Sequence, residues 1–300
     1  MNYQNHKAQA QTHSSDPSSD IDARAPRIMF YSHDTYGLGH LRRSRALASA
    51  LTAADPAASA IILTGSPVAG RFTFPEGVDH IRLPGVVKLY DGTYESQSLG
   101  LNIDETTALR AALIKTAVQQ YAPDLLIVDK EPTGFRGELL PTLEWIESDQ
   151  STRLVLGIRD VLDDADDLAA EWARKGALEI AEKYYDEIWV YGPESFYDPM
   201  QGLALSDDLR ARMHWTGYLR REITDEQETP DTPYILVTPG GGGDGETLVD
   251  LVLQAYEQDP TLGPDALLVY GPFLTGEVRE AFEARVARLN GRVSACLLYT

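Results

Sequence analysis

A glycine-containing turn near the amino terminus constrains the fold more than any other feature of the sequence. Residues 28–32 (IMFYS) are a short apolar run with the length of a buried parallel strand. Residues 33–40 (HDTYGLGH) contain two glycines, and residues 41–54 carry leucine and alanine at helical spacing. This order predicts a βα unit whose turn lies at the carboxyl edge of a sheet, where open α/β sheets bind ligands.

The residues of this turn suit an anionic or hydroxyl-rich ligand. Gly37 and Gly39 allow the backbone to approach a ligand closely. The helix that follows offers unpaired N–H groups and a partial positive charge at its start. His33, Asp34 and His40 surround the same turn. We therefore expect a ligand site here, with a turn that binds nothing as the structural alternative.

Nucleotide-binding fingerprints fit the turn poorly. The dinucleotide pattern GxGxxG begins at Gly37 and Gly39 but has Arg42 in place of its third glycine, which argues against a dehydrogenase. The sequence contains no GxxxxGK[ST], so a nucleoside-triphosphatase loop is unsupported.

The rest of the chain alternates apolar strands with helical segments, which predicts an α/β fold with a doubly wound parallel sheet. The pattern restarts after a polar, proline-bearing segment, which indicates a second Rossmann-like unit. That unit reaches Thr300 before the ~100 residues usual for such a domain, so we expect it to be truncated and the chain to be a fragment. The expected divisions are a disordered tail (1–25), an amino-terminal domain (26–222), a linker (223–233) and the start of a carboxyl-terminal domain (234–300).

A second glycine-rich turn opens the second unit. A strand precedes it and a helix follows, so phosphate is the expected ligand and a flexible turn the alternative. If the two domains pack with their sheet edges together, the two turns face each other across a cleft. The candidate phosphate-binding residues are Gly240, Gly241, Gly242, Gly243 and Asp244.

Polar side chains also follow two other predicted strands. Glu131 comes shortly after residues 125–128, and Arg159 ends the run 153–159, so both should lie at the ligand edge of the first sheet. Each could equally form a local ion pair. The acidic string 163–167 contains a DxD pattern, which we interpret as a solvated helix start rather than a metal site.

Composition narrows the function classes. The net charge of −20 repels nucleic acid and anionic lipid, so membrane contact is expected to be at most peripheral. The single cysteine, Cys296, excludes an internal disulfide framework. No apolar run approaches ~18 residues and no signal core is present, which predicts a cytoplasmic protein.

Five stretches together resemble GT-B glycosyltransferases. The turn and its flanks, SHDTYGLGHLRRS, resemble the amino-terminal loop of the peptidoglycan-precursor N-acetylglucosaminyltransferase (family 28-like), and more closely a predicted bacterial glycosyltransferase family related to it. The other similar stretches are VDKEPTGFRGELLPTLE (128–144), GIRDVLDD (157–164), HWTGYLRR (214–221) and TPGGGGDG (238–245).

The resemblance implies a two-domain transferase that moves a sugar from a nucleotide-diphosphate sugar to an acceptor of unknown identity, without a metal ion or cofactor. The first turn would belong to the acceptor side, with His40 the first candidate for general base and Asp34 the second. The glycines of the second turn would lie near the donor phosphates. The stretch that holds nucleobase and ribose is missing, so the fragment could be inactive. The alternatives are a sugar-nucleotide epimerase or hydrolase of the same fold, and a non-catalytic nucleotide-sugar binding module.

Overall fold

The structure is a computed structural model that describes residues 24–33, 38–89, 93–149, 151–161, 165–220, 232–240, 245–272 and 274–297. Within these residues the strands are β1 (Arg27–Ser32), β2 (Ser59–Thr64), β3 (Val78–Arg82), β4 (Val86–Lys88), β5 (Tyr94–Ser96), β6 (Leu125–Asp129), β7 (Arg153–Arg159), β8 (Glu187–Tyr191), β9 (Met213–Trp215), β10 (Tyr234–Val237), β11 (Asp265–Tyr270) and β12 (Val293–Leu297). The helices are α1 (Gly39–Ala54), α2 (Ile103–Tyr121), α3 (Leu140–Asp149), α4 (Ala165–Lys175), α5 (Ala177–Tyr184), α6 (Asp207–Ala211), α7 (Glu246–Gln258) and α8 (Gly276–Val286).

The first sheet has seven parallel strands in the order β3-β2-β1-β6-β7-β8-β9. The chain builds outward from β1 in one direction through β2 and β3, and in the other from β6 to β9. The neighbours β1 and β6 therefore form the topological switch point, where a crevice opens at the carboxyl ends of the strands. The predicted doubly wound α/β architecture is confirmed.

Both faces of this sheet are covered because its central strands are apolar on both sides. Alternate residues of a strand point to opposite faces. In β1, Met29 and Tyr31 belong to one hydrophobic core, and Ile28 and Phe30 belong to the other. Helix α1 packs its buried Leu41 into the second core, which holds the start of the helix above the carboxyl end of β1.

The second sheet repeats the βα pattern with three parallel strands in the order β10-β11-β12. Helices α7 and α8 alternate with these strands along the chain. The core of this unit includes Val237, Leu253, Leu268 and Phe282. The fold thus comprises two Rossmann-like parallel-sheet units, as the GT-B resemblance implied.

The structure differs from the sequence prediction at three places. The polar segment 84–102, whose sequence favours a long loop, contains the antiparallel hairpin β4–β5. The single helix expected from residue 163 is broken into α4 and α5, because Gly176 adopts the left-handed conformation (φ 60°) that interrupts helices. The short helix α6, capped by the Ser206 hydroxyl, was not predicted.

Several predictions fall on undescribed residues. Most of the expected tail and linker lies outside the described ranges, as do Asp163 and Asp164 of the acidic string. Among the helices of the described ranges, none combines the length and apolar character needed to cross a bilayer.

Candidate active site

The first turn of α1 carries two side chains that converge on one carboxylate. The helix begins at Gly39, so His40 and Arg43 are three residues apart on one helix face. Nδ1 of His40 lies 2.5 Å from Oδ2 of Asp129, and Nη1 of Arg43 donates to Oδ1 of Asp129 at 2.5 Å. Asp129 ends β6, directly beside β1, so the cluster occupies the switch point of the sheet.

Asp129 is buried yet ionised. Burial alone would raise the pKa of its carboxyl, but the hydrogen bond and charge of His40, together with Arg43, lower that pKa below its ordinary value. An ionised carboxylate only accepts hydrogen bonds, so Nδ1–H of His40 is the donor. Neutral His40 therefore carries its lone pair on Nε2, and its side chain keeps 18% of its exposure.

His33 is a second imidazole at the same edge. Its ring centroid lies 5.8 Å from that of His40, in an edge-on arrangement. Burial, and then the positive charges of Lys130, Lys175 and His40 in its protonated form, lower the pKa of His33 to about 3, against an opposing effect of Asp129. Among the described residues, no hydrogen-bond partner reaches Nδ1 of His33. A neutral imidazole thus stands beside the His40 ring at ordinary pH.

A pocket of about 250 Å³ adjoins the cluster. Arg43 belongs both to the Asp129 cluster and to the pocket. Its guanidinium binds Asp129 and lies 5.5 Å from the ring centroid of Tyr191 in the pocket wall. Tyr191 requires a glycine at position 157, because a β-carbon there would lie 1.9 Å from the tyrosine hydroxyl oxygen. The residues lining the pocket are Gly39, Arg42, Arg43, Ala46, Arg159, Asp160, Tyr191 and Leu219.

The structure brings together part of the predicted site. His33 and His40 are neighbours, and Gly39 and Arg159 line the same pocket. Glu131 instead accepts from Nζ of Lys175 at 2.9 Å, so it forms the local ion pair that the sequence analysis gave as its alternative role. Of the remaining candidates, Gly240 has a positive φ (77°), and the others lie outside the described residues: Asp34, Gly37, Gly241, Gly242, Gly243 and Asp244.

Sequence reasoning did not select Asp129, Arg43 or Tyr191. Asp129 gave a usable signal, because it is the first charged residue after the apolar run of β6 and β6 pairs with β1. Arg43 lies in a run of three arginines within four residues, and nothing local distinguishes it. Tyr191 resembled a core aromatic residue, and its ring is indeed buried.

A second buried carboxylate lies on the other face of β1. Nε and Nη2 of Arg110 donate to the two oxygens of Glu138, each at 2.6 Å, and the Tyr31 hydroxyl donates to the same carboxylate at 2.7 Å. Arg110 also donates to the carbonyl of Pro84 at 2.6 Å, and the amide of Phe135 donates to the Tyr31 hydroxyl at 2.8 Å. This network ties β1, α2 and the loop after β6 together.

Within the described residues, no three His, Cys, Asp or Glu side chains converge as metal ligands would.

Comparison with known proteins shows the fold. No family model and no curated protein matches the chain. Among solved structures, the calicheamicin glycosyltransferase CalG4 matches with a TM-score of 0.51 and 16% identity, over 91% of this chain and 70% of that one. The glycotransferase of kitacinnamycin matches with a TM-score of 0.52 and 11% identity, over 91% and 71%.

A protein of another reaction class matches equally well. The UDP-GlcNAc 2-epimerase from Methanocaldococcus jannaschii has a TM-score of 0.50 and 10% identity, over 90% of this chain and 72% of that one. The chain therefore has a GT-B-like fold. Since glycosyltransferases and epimerases share this fold, the reaction has to be argued from the site itself.

Proposed function

We propose that the protein is a glycosyltransferase that moves a sugar from a nucleotide-diphosphate sugar to an acceptor hydroxyl. The observation that carries this proposal is the hydrogen bond between His40 Nδ1 and the buried Asp129 carboxylate at the switch point of the sheet. A carboxylate that fixes one imidazole nitrogen as donor makes the other nitrogen a proton acceptor. Glycosyl transfer needs such a base for the acceptor hydroxyl.

His40 performs the proton transfer in this mechanism. The acceptor oxygen attacks the anomeric carbon while Nε2 of His40 takes the hydroxyl proton. The bond between the anomeric carbon and the diphosphate oxygen breaks, and the nucleoside diphosphate leaves with the electron pair. Asp129 stabilises the imidazolium that forms, and Arg43 keeps the carboxylate in place.

The second unit is assigned to the donor in this proposal. Helix α7 starts at Glu246, directly after the glycine-rich turn, so backbone N–H groups at its start are suited to the diphosphate. The turn's glycines would allow the backbone to approach the phosphates, and no metal ion would be needed for the leaving group. The acceptor belongs to residues 26–222 in this proposal, the donor to residues 234–300, and the protein to the cytoplasm.

Release of nucleoside diphosphate tests the function directly. The protein is incubated with a panel of nucleotide sugars and hydroxylated acceptors, and products are followed by chromatography and mass spectrometry. His40→Ala should lower turnover by about 10²–10⁴-fold, the usual size of a general-base contribution. His214→Ala is the matched control, because His214 is an exposed histidine of the same domain (55% side-chain exposure). Unchanged turnover in His40→Ala would remove the proposed base.

The same assay separates the other reactions of this fold. Consumption of nucleotide sugar without acceptor would assign an epimerase or hydrolase. Saturable binding with no product, unaffected by His40→Ala, would assign a non-catalytic binding module. Acceptor-dependent release of diphosphate, with the sugar found on the acceptor, supports the transferase.

A further inference from the structure

Helix α2 buries one narrow stripe of side chains. Its buried residues, Thr106, Arg110, Ile114 and Val118, follow each other at intervals of four. Ile114 and Val118 pack into a hydrophobic core of the first sheet, and Arg110 binds Glu138. Because residues four apart form a single row on a helix, the opposite side of α2 is left for other contacts.

The opposite side of α2 is apolar although it faces solvent. Leu109 and Leu113, four residues apart, keep 40% and 41% of their exposure. Other exposed apolar residues lie beside them or just before the helix. We call this surface the α2 patch, and it consists of Leu99, Leu101, Ala108, Leu109, Ala112 and Leu113.

No exposed charge interrupts the helical part of the α2 patch. Between Glu105 and Lys115 the sequence has one charged residue, Arg110, and its side chain is buried on the other side of the helix. In the whole chain, by contrast, 24% of the residues are charged and the net charge is −20. A contiguous apolar surface of this kind marks a site of interaction.

The charges of the molecule favour a second copy of this chain as the partner. Helices that lie on membranes are rich in Lys and Arg, whereas the one basic residue of α2 besides the buried Arg110 is Lys115. Two copies that each carry a net charge of −20 can approach only where charges are few or opposite in sign. The α2 patch meets both conditions, because it is uncharged and has Glu105 at one end and Lys115 at the other.

An antiparallel pair of α2 helices makes these features complementary. With a two-fold axis beside Ala111, Leu109 of each copy lies opposite Leu113 of the other, as an isologous contact requires. At a rise of about 1.5 Å per residue, Glu105 then lies within about 3 Å, along the helix axis, of Lys115 of the other copy. At about 100° per residue, Glu105 and Lys115 also lie on the same side of the leucine pair.

We propose that α2 is a dimerisation helix, which packs its α2 patch against that of a second copy in antiparallel orientation, with Glu105 paired to Lys115 across the two-fold axis. Oε2 of Glu105 accepts from the Asn102 amide, and a carboxylate can accept further hydrogen bonds. The helix face from Glu105 to Thr116 is about 17 Å long. The contact is therefore at the small end of interface sizes, and its Kd should be micromolar.

Sedimentation velocity over a range from about 1 μM to about 100 μM measures this equilibrium. The unmodified protein should change from monomer to dimer. Leu113→Glu should raise the Kd by about 100-fold or more, because symmetry removes two buried leucines at once. The matched control is Leu251→Glu, since Leu251 is an exposed leucine (57%) of another helix, α7. This control should dimerise like the unmodified protein, and unfolding midpoints check that both variants are folded.

Exchange of the two charges tests the antiparallel arrangement. Glu105→Lys places two lysines opposite each other at both ends of the contact, and Lys115→Glu places two glutamates there. Each variant alone should therefore dimerise more weakly than the unmodified protein. A mixture of the two variants should form heterodimers, because each end then holds one lysine and one glutamate.

Three results would overturn the proposal. The first is an unmodified protein that stays monomeric up to about 100 μM, well above a micromolar Kd. The second is a dimer with the same Kd in Leu113→Glu, or with no heterodimer in the mixture. The third is a monomer that cosediments with phosphatidylcholine vesicles and loses this binding in Leu113→Glu, which would assign the α2 patch to a membrane surface. None of these measurements depends on turnover, so they leave the proposed function to its own test.

Discussion

Asp129 and Glu138 are two buried carboxylates of one domain, and each is paired with an arginine. Both oxygens of Glu138 are occupied by Arg110 and the Tyr31 hydroxyl, and the Arg110 side chain is only 2% exposed. The partners of Asp129 are His40 and Arg43, whose side chains keep 18% and 13% of their exposure. One network is closed by protein on every side, and the other leads to a pocket.

Under the proposed function, the difference separates a structural carboxylate, Glu138, from one that takes part in the reaction, Asp129. Glu138 joins β1 and α2 with charge-assisted hydrogen bonds, and its partners have no access to a ligand. Asp129 directs a titratable imidazole toward a site that solvent and ligands can reach. Burial of a carboxylate therefore does not indicate its role; the exposure of its partners does.

Asp129→Asn should have the largest effect. The amide can donate to Nδ1 of His40 and thereby fix the wrong tautomer, so we expect turnover to fall by about 10²–10⁴-fold. The measurement is kcat and KM with the best donor and acceptor, together with the unfolding midpoint. The loss should lie in kcat, with a smaller change in stability than that expected for Glu138→Gln. A variant with wild-type kcat would make Asp129 a structural residue like Glu138 and abolish the distinction.

Glu138→Gln should give the largest loss of stability. The substitution leaves the Arg110 charge buried without a counter-charge, a change that typically costs about 3–5 kcal/mol. Urea unfolding of the protein measures the loss. Asp104→Asn is the control: it breaks the ion pair of Arg136 and Asp104, whose side chains are 47% and 80% exposed, and should have a much smaller effect. Equal losses in the two variants would contradict a special role for burial.

The sequence predicted the elements of the fold because their signals are local. Apolar runs and helical spacing identify β1, α1, β6 and the second βα unit without any knowledge of tertiary contacts. The hairpin β4–β5 was missed because its short strands lie in a polar segment and depend on each other for pairing. The break at Gly176 was missed because helical periodicity continues on both sides of it.

The site was predictable only in part because its decisive contacts join distant segments. His40 was selected from the turn in which it lies, but Asp129 is 89 positions further along the chain. Nothing in the local sequence around Glu138 indicates a buried carboxylate, and only the folded chain places it against Tyr31 and Arg110. A strand order of β2-β1-β6, inferred from the Rossmann pattern, would have pointed to Asp129.

The pH dependence of stability tests the surroundings of His33, which lies beside the network of Asp129, His40 and Arg43. Unfolded His33 takes up a proton near pH 6.5, whereas the folded protein does so only near pH 3. Between these values the unfolded state binds more protons, so stability falls as the pH is lowered. The loss due to this one group should amount to about 2 kcal/mol by pH 5.

The variant His33→Asn should flatten this dependence. The measurement is the difference in unfolding free energy between the unmodified protein and the variant from pH 7 to pH 5, with His214→Asn as the control for loss of an exposed histidine. The groups that act on His33 are His40, Lys130, Lys175 and Asp129, and all of them remain in the variant. A difference that does not change with pH would mean that His33 takes up its proton equally readily in the folded protein.

Asn102→Ala should have the smallest effect and tests whether the closed network acts alone. Asn102 caps α2: its side chain accepts from the amide of Glu105 at 2.9 Å, and the Glu105 carboxylate accepts from the Asn102 amide at 3.0 Å. Loss of such a cap costs about 1 kcal/mol. Arg110 lies about 12 Å further along the helix axis, so the cap and the Glu138 network share no contact.

The double variant Asn102→Ala/Glu138→Gln makes the independence measurable. If the Glu138 network holds α2 by itself, the two losses in unfolding free energy should add within about 0.5 kcal/mol, as they do for separate sites. If the two losses do not add, the start of α2 and the Arg110 contact form one unit. The rigidity of the closed network would then depend on the helix end that precedes it as well as on its own hydrogen bonds.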